Sequence, residues 1–391
     1  MPSLARPLTA AFAAAFLACA CQQSAQPPGV GAASRALSAP VPVLEGKLVL
    51  LAWPGYVRQG TALAGWVADY ERATACKVTV KTASTSEEMV ALMNLGGFDV
   101  VTASGDASLR LVAAGRVRPI DVSRIPAYAS IDARLRDAAW NTVDGVHFGV
   151  PFQWGPNVLM YDAREFKDPP SWSVIFKEQQ LPDGKSNRGR VQAFDSPMSI
   201  ADAAVYLMNA RPDLAITDPY QLDEAQYAAA LAALRKQRLL VHRYWRDPAV
   251  QVSDFRTEGV VAAVSWPAQT SALQAGGNEV AWTVPAEGAT GWADSLMLHA
   301  AAAHPNCAYR LMEWALDRTV QGDVAAAFGS VPAVSSACRD NPHLSADGCL
   351  RNGQDTFARL HFWRTPGFGC GKSPCVPYSR WTEDFLKLVD E

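Results

Sequence analysis

From residue 47 onward the chain alternates between two apolar periodicities. KLVLLAW at 47–53 is a compact apolar run that stops at Pro54-Gly55, the pattern of a buried strand followed by a loop. Residues 65–75 place apolar side chains at helical spacing, and KVTVKT at 77–82 alternates like a strand. SEEMVALMNL at 86–95 reads as a helix with Ser86 as N-cap and acidic residues in its first turn. FDVVTA at 98–103 is the next strand. Strands alternating with helices predict βαβ units and a mainly parallel sheet, whose ligands sit beyond the carboxyl ends of the strands. Trp53, Tyr56 and the Ser104-Gly105-Asp106 turn all fall at such ends.

A second unit of the same kind follows. HFGVPFQWGPNVLMYD at 147–162 reads as one strand broken by Pro151 and Gly155-Pro156 before another begins, as a chain crossing between lobes would be. Strand 189–194, helices 200–209 and 223–237 and strand 260–266 complete the unit. GATGWADSLMLHA from Gly288 reads as a crossing back, with helices at 305–316 and 320–328 after it. No repeat of the kind that builds solenoids is visible.

The first 20 residues carry Arg6, an apolar stretch from Leu8 to Ala18 interrupted by Thr9, then small residues and cysteines. That order is an export signal, with an apolar segment shorter than the roughly 20 residues a membrane span needs. Leu17-Ala18-Cys19-Ala20-Cys21 resembles a lipobox, which makes Cys21 the expected lipidation site. Residues 21–46, rich in Ala, Pro, Ser, Gly and Gln, read as a tether. The expected organisation is signal 1–20, tether 21–46, a first lobe of 47–155 with 289–330, and a second of 156–288 with 331–391.

Composition changes this picture in two ways. With 35 Lys and Arg against 38 Asp and Glu, net charge −3, the chain lacks the basic surplus that binds phosphate backbones, so nucleic acid is not an expected partner. Export also permits disulfides among the six later cysteines. Those allow 15 connectivities; short loops favour Cys338 with Cys349 and Cys370 with Cys375, leaving Cys76 for Cys307. The cysteine spacing does not match a zinc site, and no metal or cofactor is expected.

AWPGY at 52–56, VTASGDASLR at 101–110, PFQWGPN at 151–157, LPDGKSNRGRVQAFD at 181–195, GWADS at 291–295 and VPYSRW at 376–381 resemble the polyamine (spermidine/putrescine) binding proteins of ABC transporters. The resemblance runs from about residue 45 to the end. It implies an α/β type II periplasmic-binding-protein fold, with two lobes around a central ligand cleft. It also implies a monomer in the periplasm that presents a small amine or zwitterion to ABC permease and ATPase subunits, touching the membrane only through its lipid anchor. Part of that family is also described as polyhydroxybutyrate synthase, which stands as the alternative activity.

An alkyl ammonium needs a carboxylate for its head and ring faces for its methylenes. Carried over by the resemblance, the aromatic positions are Trp53, Tyr56, Trp266 and Trp292, with Trp154 in the crossing segment. Asp294, just beyond Trp292, is the first candidate for the ammonium; Ser104, Asp106 and Asp195 are further polar candidates. Arg364 aligns with a late ligand contact, and an arginine there would favour a carboxylate or zwitterion over a diammonium. No Gly-x-Ser-x-Gly or Gly-x-Cys-x-Gly elbow, H-E-x-x-H or Walker A motif occurs. The sequence therefore shows no nucleophile beside a base for acyl transfer.

Overall fold

The computed structural model describes residues 43–57, 65–339, 341–367, 369–370 and 373–390. The export signal, Cys21 and most of the tether lie outside the described residues.

Two sheets organise the chain. The first has seven strands in the order Val331–Pro332, Gly149–Pro156, Ala289–Leu298, Val100–Ser104, Lys47–Ala52, Lys77–Thr82, with Leu360–Phe362 paired to the start of Ala289–Leu298. Its Lys77, Lys47 and Val100 strands are mutually parallel, and the two long strands run antiparallel. The second has five strands, ordered Val280–Thr283, Val158–Asp162, Ala262–Ser265, Val191–Phe194, Val241–Trp245. The last three of these are parallel. Each sheet therefore holds a parallel trio with its earliest strand in the middle, flanked by an antiparallel strand.

The chain passes from one sheet to the other at Asn157, between Gly149–Pro156 and Val158–Asp162. The return strand lies alongside: Asn157 N–H donates to the Thr290 carbonyl at 2.9 Å. All ten residues of Ala289–Leu298 are buried, as expected of a strand covered on both faces. Trp292 belongs to the apolar core of the second sheet and Ala293 to that of the first, so the boundary between the cores falls inside this strand.

Three expectations change. The helix Ser86–Leu95 is capped by Thr85, whose side chain accepts from Glu88 N–H, because the Ser86 hydroxyl is turned to Asp106 at 3.0 Å. Pro151 does not break its strand. The register shifts between Asp294 and Ser295 opposite it, and such an irregularity accommodates a residue with no N–H to give. Segment 331–391, expected in the second lobe, is divided. Val331–Pro332 and Leu360–Phe362 pair in the first sheet, while the terminal helix Tyr378–Asp390 turns Tyr378, Trp381, Phe385 and Leu388 into the second core. That spacing is one apolar face of a helix.

Cys76 is bonded to Cys307 and Cys338 to Cys349. Cys375 is also disulfide-bonded, and the side chain of Cys370 lies outside the described residues. Among the described residues no helix is long and apolar enough to cross a membrane.

Candidate functional site

The carboxyl ends of the parallel strands in both sheets converge on one cavity of about 400 Å³. From the first sheet come Trp53, directly after Lys47–Ala52, and Ser104, the last residue of its strand. From the second come Phe194, Arg246 and Trp266, each at or just beyond a strand end. The return strand adds Trp292 and Asp294, the helix Arg318–Phe328 adds Phe328, and Trp363 follows Leu360–Phe362. A volume in this range suits a small organic solute.

Six aromatic side chains line the cavity: Trp53, Phe194, Trp266, Trp292, Phe328 and Trp363. Trp292 meets Trp266 edge-on at 6.5 Å and Phe328 at 5.7 Å, and Trp363 stacks on Phe194 at 6.0 Å. Trp292 has room because Gly155 lies opposite it in register; a Cβ at Gly155 would stand 2.7 Å from Trp292 Cζ2. Trp266 is held from behind, its indole N–H donating to Asn157 Oδ1 at 2.9 Å while Asn157 Nδ2 donates to Thr290 Oγ1 at 2.6 Å. The residue at which the chain crosses between sheets thus anchors one wall of the cavity.

Asp294 is the polar centre. It is 2% exposed, on a strand that is otherwise mostly apolar, and isolated buried carboxylates are costly unless something compensates them. Tyr56 Oη donates to its Oδ2 at 2.6 Å and Ser104 Oγ donates to its Oδ1. Burial raises its pKa to about 7; the two hydroxyls oppose that shift and the charge of Asp106 adds to it. The Tyr56 phenol is pushed well above its ordinary range by burial and by the Asp294 charge, so it stays a donor. Among the described residues no lysine or arginine pairs with Asp294. The arrangement can accept a cation from outside and strengthen as water is excluded.

Of the residues singled out in the sequence, Trp53, Ser104, Trp266, Trp292 and Asp294 line the cavity. Tyr56 sits behind Asp294, with its ring 4.2 Å from that of Phe328. Asp106 is buried in the first turn of the helix Gly105–Ala113, accepting from Ser86; burial foremost lifts its pKa to about 6, and it does not line the cavity. Trp154 is one residue along from Gly155 and so points to the opposite face of the strand, where it packs on Phe357 and Phe362. Asp195 is held by Arg246 Nε at 2.7 Å. Arg364 pairs with Asp218 beside Tyr220 in a separate recess.

The cavity arginine is therefore Arg246, and the argument that Arg364 disfavours a diammonium does not hold. Arg246 follows the strand Val241–Trp245, whose partly covered middle gives a weak strand pattern in the sequence, although the rule that points to Trp53 applies to it equally. Phe194 and Gln269 were open to the same rule, one at a strand end and one a turn beyond Trp266. Trp363, directly after Leu360–Phe362, falls under it too, whereas Phe328, at the end of a helix, carries no such signal.

Comparison with known proteins agrees with this architecture. The sequence pattern of the family described as bacterial extracellular solute-binding protein matches residues 65–349. The chain is 25% identical over 295 residues to the putrescine/agmatine-binding protein of Pseudomonas aeruginosa, covering 70% of this chain and 77% of that one. Among solved structures, the spermidine/putrescine ABC transporter substrate-binding protein PotD of Streptococcus pneumoniae superposes with a TM-score of 0.67 at 16% identity, over 88% of this chain and 97% of that one. The Tp0655 (TpPotD) lipoprotein of Treponema pallidum does so with a TM-score of 0.68 at 15% identity, over 88% and 100%. The chain belongs to the bacterial extracellular solute-binding protein family and has the periplasmic-binding-protein fold.

Proposed function

We propose that the protein is the extracytoplasmic receptor of an ABC importer and captures a small organic amine in this cavity. One observation carries the ligand class: Asp294 is a buried carboxylate at the cavity wall, held by two hydroxyl donors and paired with no cation among the described residues. In this reading Asp294 takes the ammonium, Tyr56 and Ser104 fix its orientation, and Trp53, Trp266 and Trp292 present ring faces to the carbon chain. The names of the relatives, which bind putrescine, agmatine or spermidine, support an amine. The protein would hand this solute, as a monomer, to permease and ATPase subunits.

No observation favours polyhydroxybutyrate synthesis. Ser104 donates to a carboxylate at the wall of a solute-sized cavity, and Cys76, Cys307, Cys338, Cys349 and Cys375 are all in disulfides, which removes their thiols as nucleophiles. The deciding experiment is calorimetric titration with a panel of amines. At least one should bind saturably to the native protein, and Asp294→Asn should abolish the heat. Unchanged affinity in a folded Asp294→Asn variant would sink the assignment.

The anchor belongs to the same reading. Cys21 after small residues, the tether behind it and a fold neighbour named as a lipoprotein support lipidation at Cys21. Cys21→Ser is expected to move the protein from the membrane fraction to the soluble periplasmic fraction without changing its melting temperature. Finding the native protein already soluble would refute the anchor.

A further inference from the structure

Outside the cavity, one polar contact joins side chains whose elements pack into different cores. Glu87 stands on the helix Ser86–Leu95 and Arg110 on the helix Gly105–Ala113, which send Met89, Met93, Ala107 and Leu111 into the core of the first sheet. Tyr378 opens the terminal helix, which packs into the core of the second. Its Oη donates to Glu87 Oε1 at 2.5 Å, 291 positions away, and the Arg110 guanidinium lies 4.5 Å from the centre of its ring.

The first-sheet side of this contact is assembled without Tyr378. Arg110 Nε donates to the Asp106 carbonyl at 3.0 Å and Arg110 Nη2 to Glu87 Oε1 at 3.4 Å. A carboxylate oxygen and a guanidinium face are thus held side by side, and Tyr378 answers both, its hydroxyl the one and its ring the other. Burial and the Glu87 charge push the phenol well above its ordinary range, so it remains a donor. On the other side, Val376 N–H donates to the Leu222 carbonyl at 3.0 Å, which ties the start of the terminal helix to the second half.

None of the three side chains lines the cavity, but the chain beside them does: Ser84, in the turn before the helix of Glu87, and Ser104, directly before the helix of Arg110. Tyr378 is also clear of the strands through which the chain passes between the sheets. A hydrogen bond is lost within about 1 Å of added separation, so the contact lasts only while the two halves stand as they do around the cavity. Resting on the solute-binding reading above, we infer that Glu87, Arg110 and Tyr378 form a clasp that holds the halves closed over the ligand. They are positioning residues, setting how long the ligand stays without touching it.

The test is stopped-flow measurement of association and dissociation of the tightest amine of the panel, with melting curves in its presence and absence. Tyr378→Phe keeps the ring beside Arg110 and loses only the hydroxyl. It should raise the dissociation rate about tenfold, as loss of a hydrogen bond to a charged group implies, and change the association rate by less than about twofold. The melting temperature of the ligand-free protein should stay as it is, and that of the complex should fall. Glu87→Ala, at a partly exposed position, should act in the same way, and combining it with Tyr378→Phe should add little, as expected of partners in one contact. Glu87→Gln should restore much of the residence time, because its amide oxygen still accepts. A native dissociation rate in both single variants overturns the clasp and leaves the solute-binding reading standing. So does a ligand-free protein that melts lower while dissociation is unchanged, the mark of a static tie. A native protein that binds no amine overturns both readings.

Discussion

At the scale of the residue, Asp294 joins a stability cost to a binding gain. Its carboxyl, ordinarily near 3.8, is raised to about 7 in the fold, chiefly by burial. The protonated form is therefore favoured in the folded state. The stability this contributes is full below about pH 4 and is lost as pH rises through about 7. An ammonium ligand reverses the balance by favouring the ionised form, so binding expels a proton. Affinity for an amine should consequently fall as pH drops below about 7, by up to tenfold per unit, measured as Kd against pH by calorimetry. Asp294→Asn should lose that slope together with the binding, yet melt higher than the native apoprotein at pH 8, by about 2 kcal/mol once the weakened hydroxyl contacts are set against the removed ionisation cost. A lower melting temperature at pH 8 with binding retained would contradict the role given to this side chain.

At the scale of the element, the two neighbouring long strands build the site through their side-chain alternation. Successive residues of a strand face opposite ways, so Trp154 enters the core against Phe357 and Phe362 while Gly155 leaves a hollow that Trp292 of the partner strand fills. Gly155→Ala puts a methyl group into the Trp292 ring. It should weaken ligand binding by displacing the indole, although no polar group is altered, and cost about 1–3 kcal/mol of stability as overpacking does. Thermal denaturation and titration of this variant check both effects; native affinity would show that the Trp292 ring is not a wall of the site. The helix Arg318–Phe328 contributes at its last residue: Gly329 follows in the left-handed region, φ 73°, which ends the helix where Phe328 meets Tyr56 and Trp292.

At the scale of the whole molecule, each sheet turns the carboxyl ends of its parallel strands to the same cavity, and the chain between the sheets passes through paired strands at Asn157 and Thr290. A ligand touching Asp294 and Trp266 contacts both sheets, which is how a binding protein couples occupancy to the relation between its halves. The Cys76–Cys307 disulfide, spanning 231 residues, ties the start of the Lys77–Thr82 strand to the helix Pro305–Ala315. It thereby links the beginning of the first sheet to a segment that returns only after the second is complete. Reduction should lower stability by about 2–5 kcal/mol, since long loops gain most from closure. Chemical denaturation with and without reductant measures this, and coincident curves would refute it.

Much of this was legible along the chain because the information is local. Alternation and helical spacing placed the 47–53 and 77–82 strands and the helices near 86–95, 223–237 and 305–316 within a few residues, the strand-end rule pointed to Trp53 and Ser104, and the resemblance to the polyamine-binding proteins pointed to Trp266, Trp292 and Asp294. Local pattern also explains the omissions: Val241–Trp245 is a strand whose middle residues are only partly covered, and with it went Arg246. What the chain could not decide was pairing across distance. Arg364 and Arg246 look alike as residues, but one is claimed by Asp218, 146 positions away, and the other by Asp195, 51 positions away. Trp154 and Trp292 are likewise both strand tryptophans, and only the register of the two strands sends one into the core and the other to the wall. The sequence determined which elements form, because backbone preference and burial periodicity act over a few residues. The tertiary structure decided which charges are already matched and which are left for a ligand, because desolvation and hydrogen bonding depend on neighbours that come together only in the folded chain.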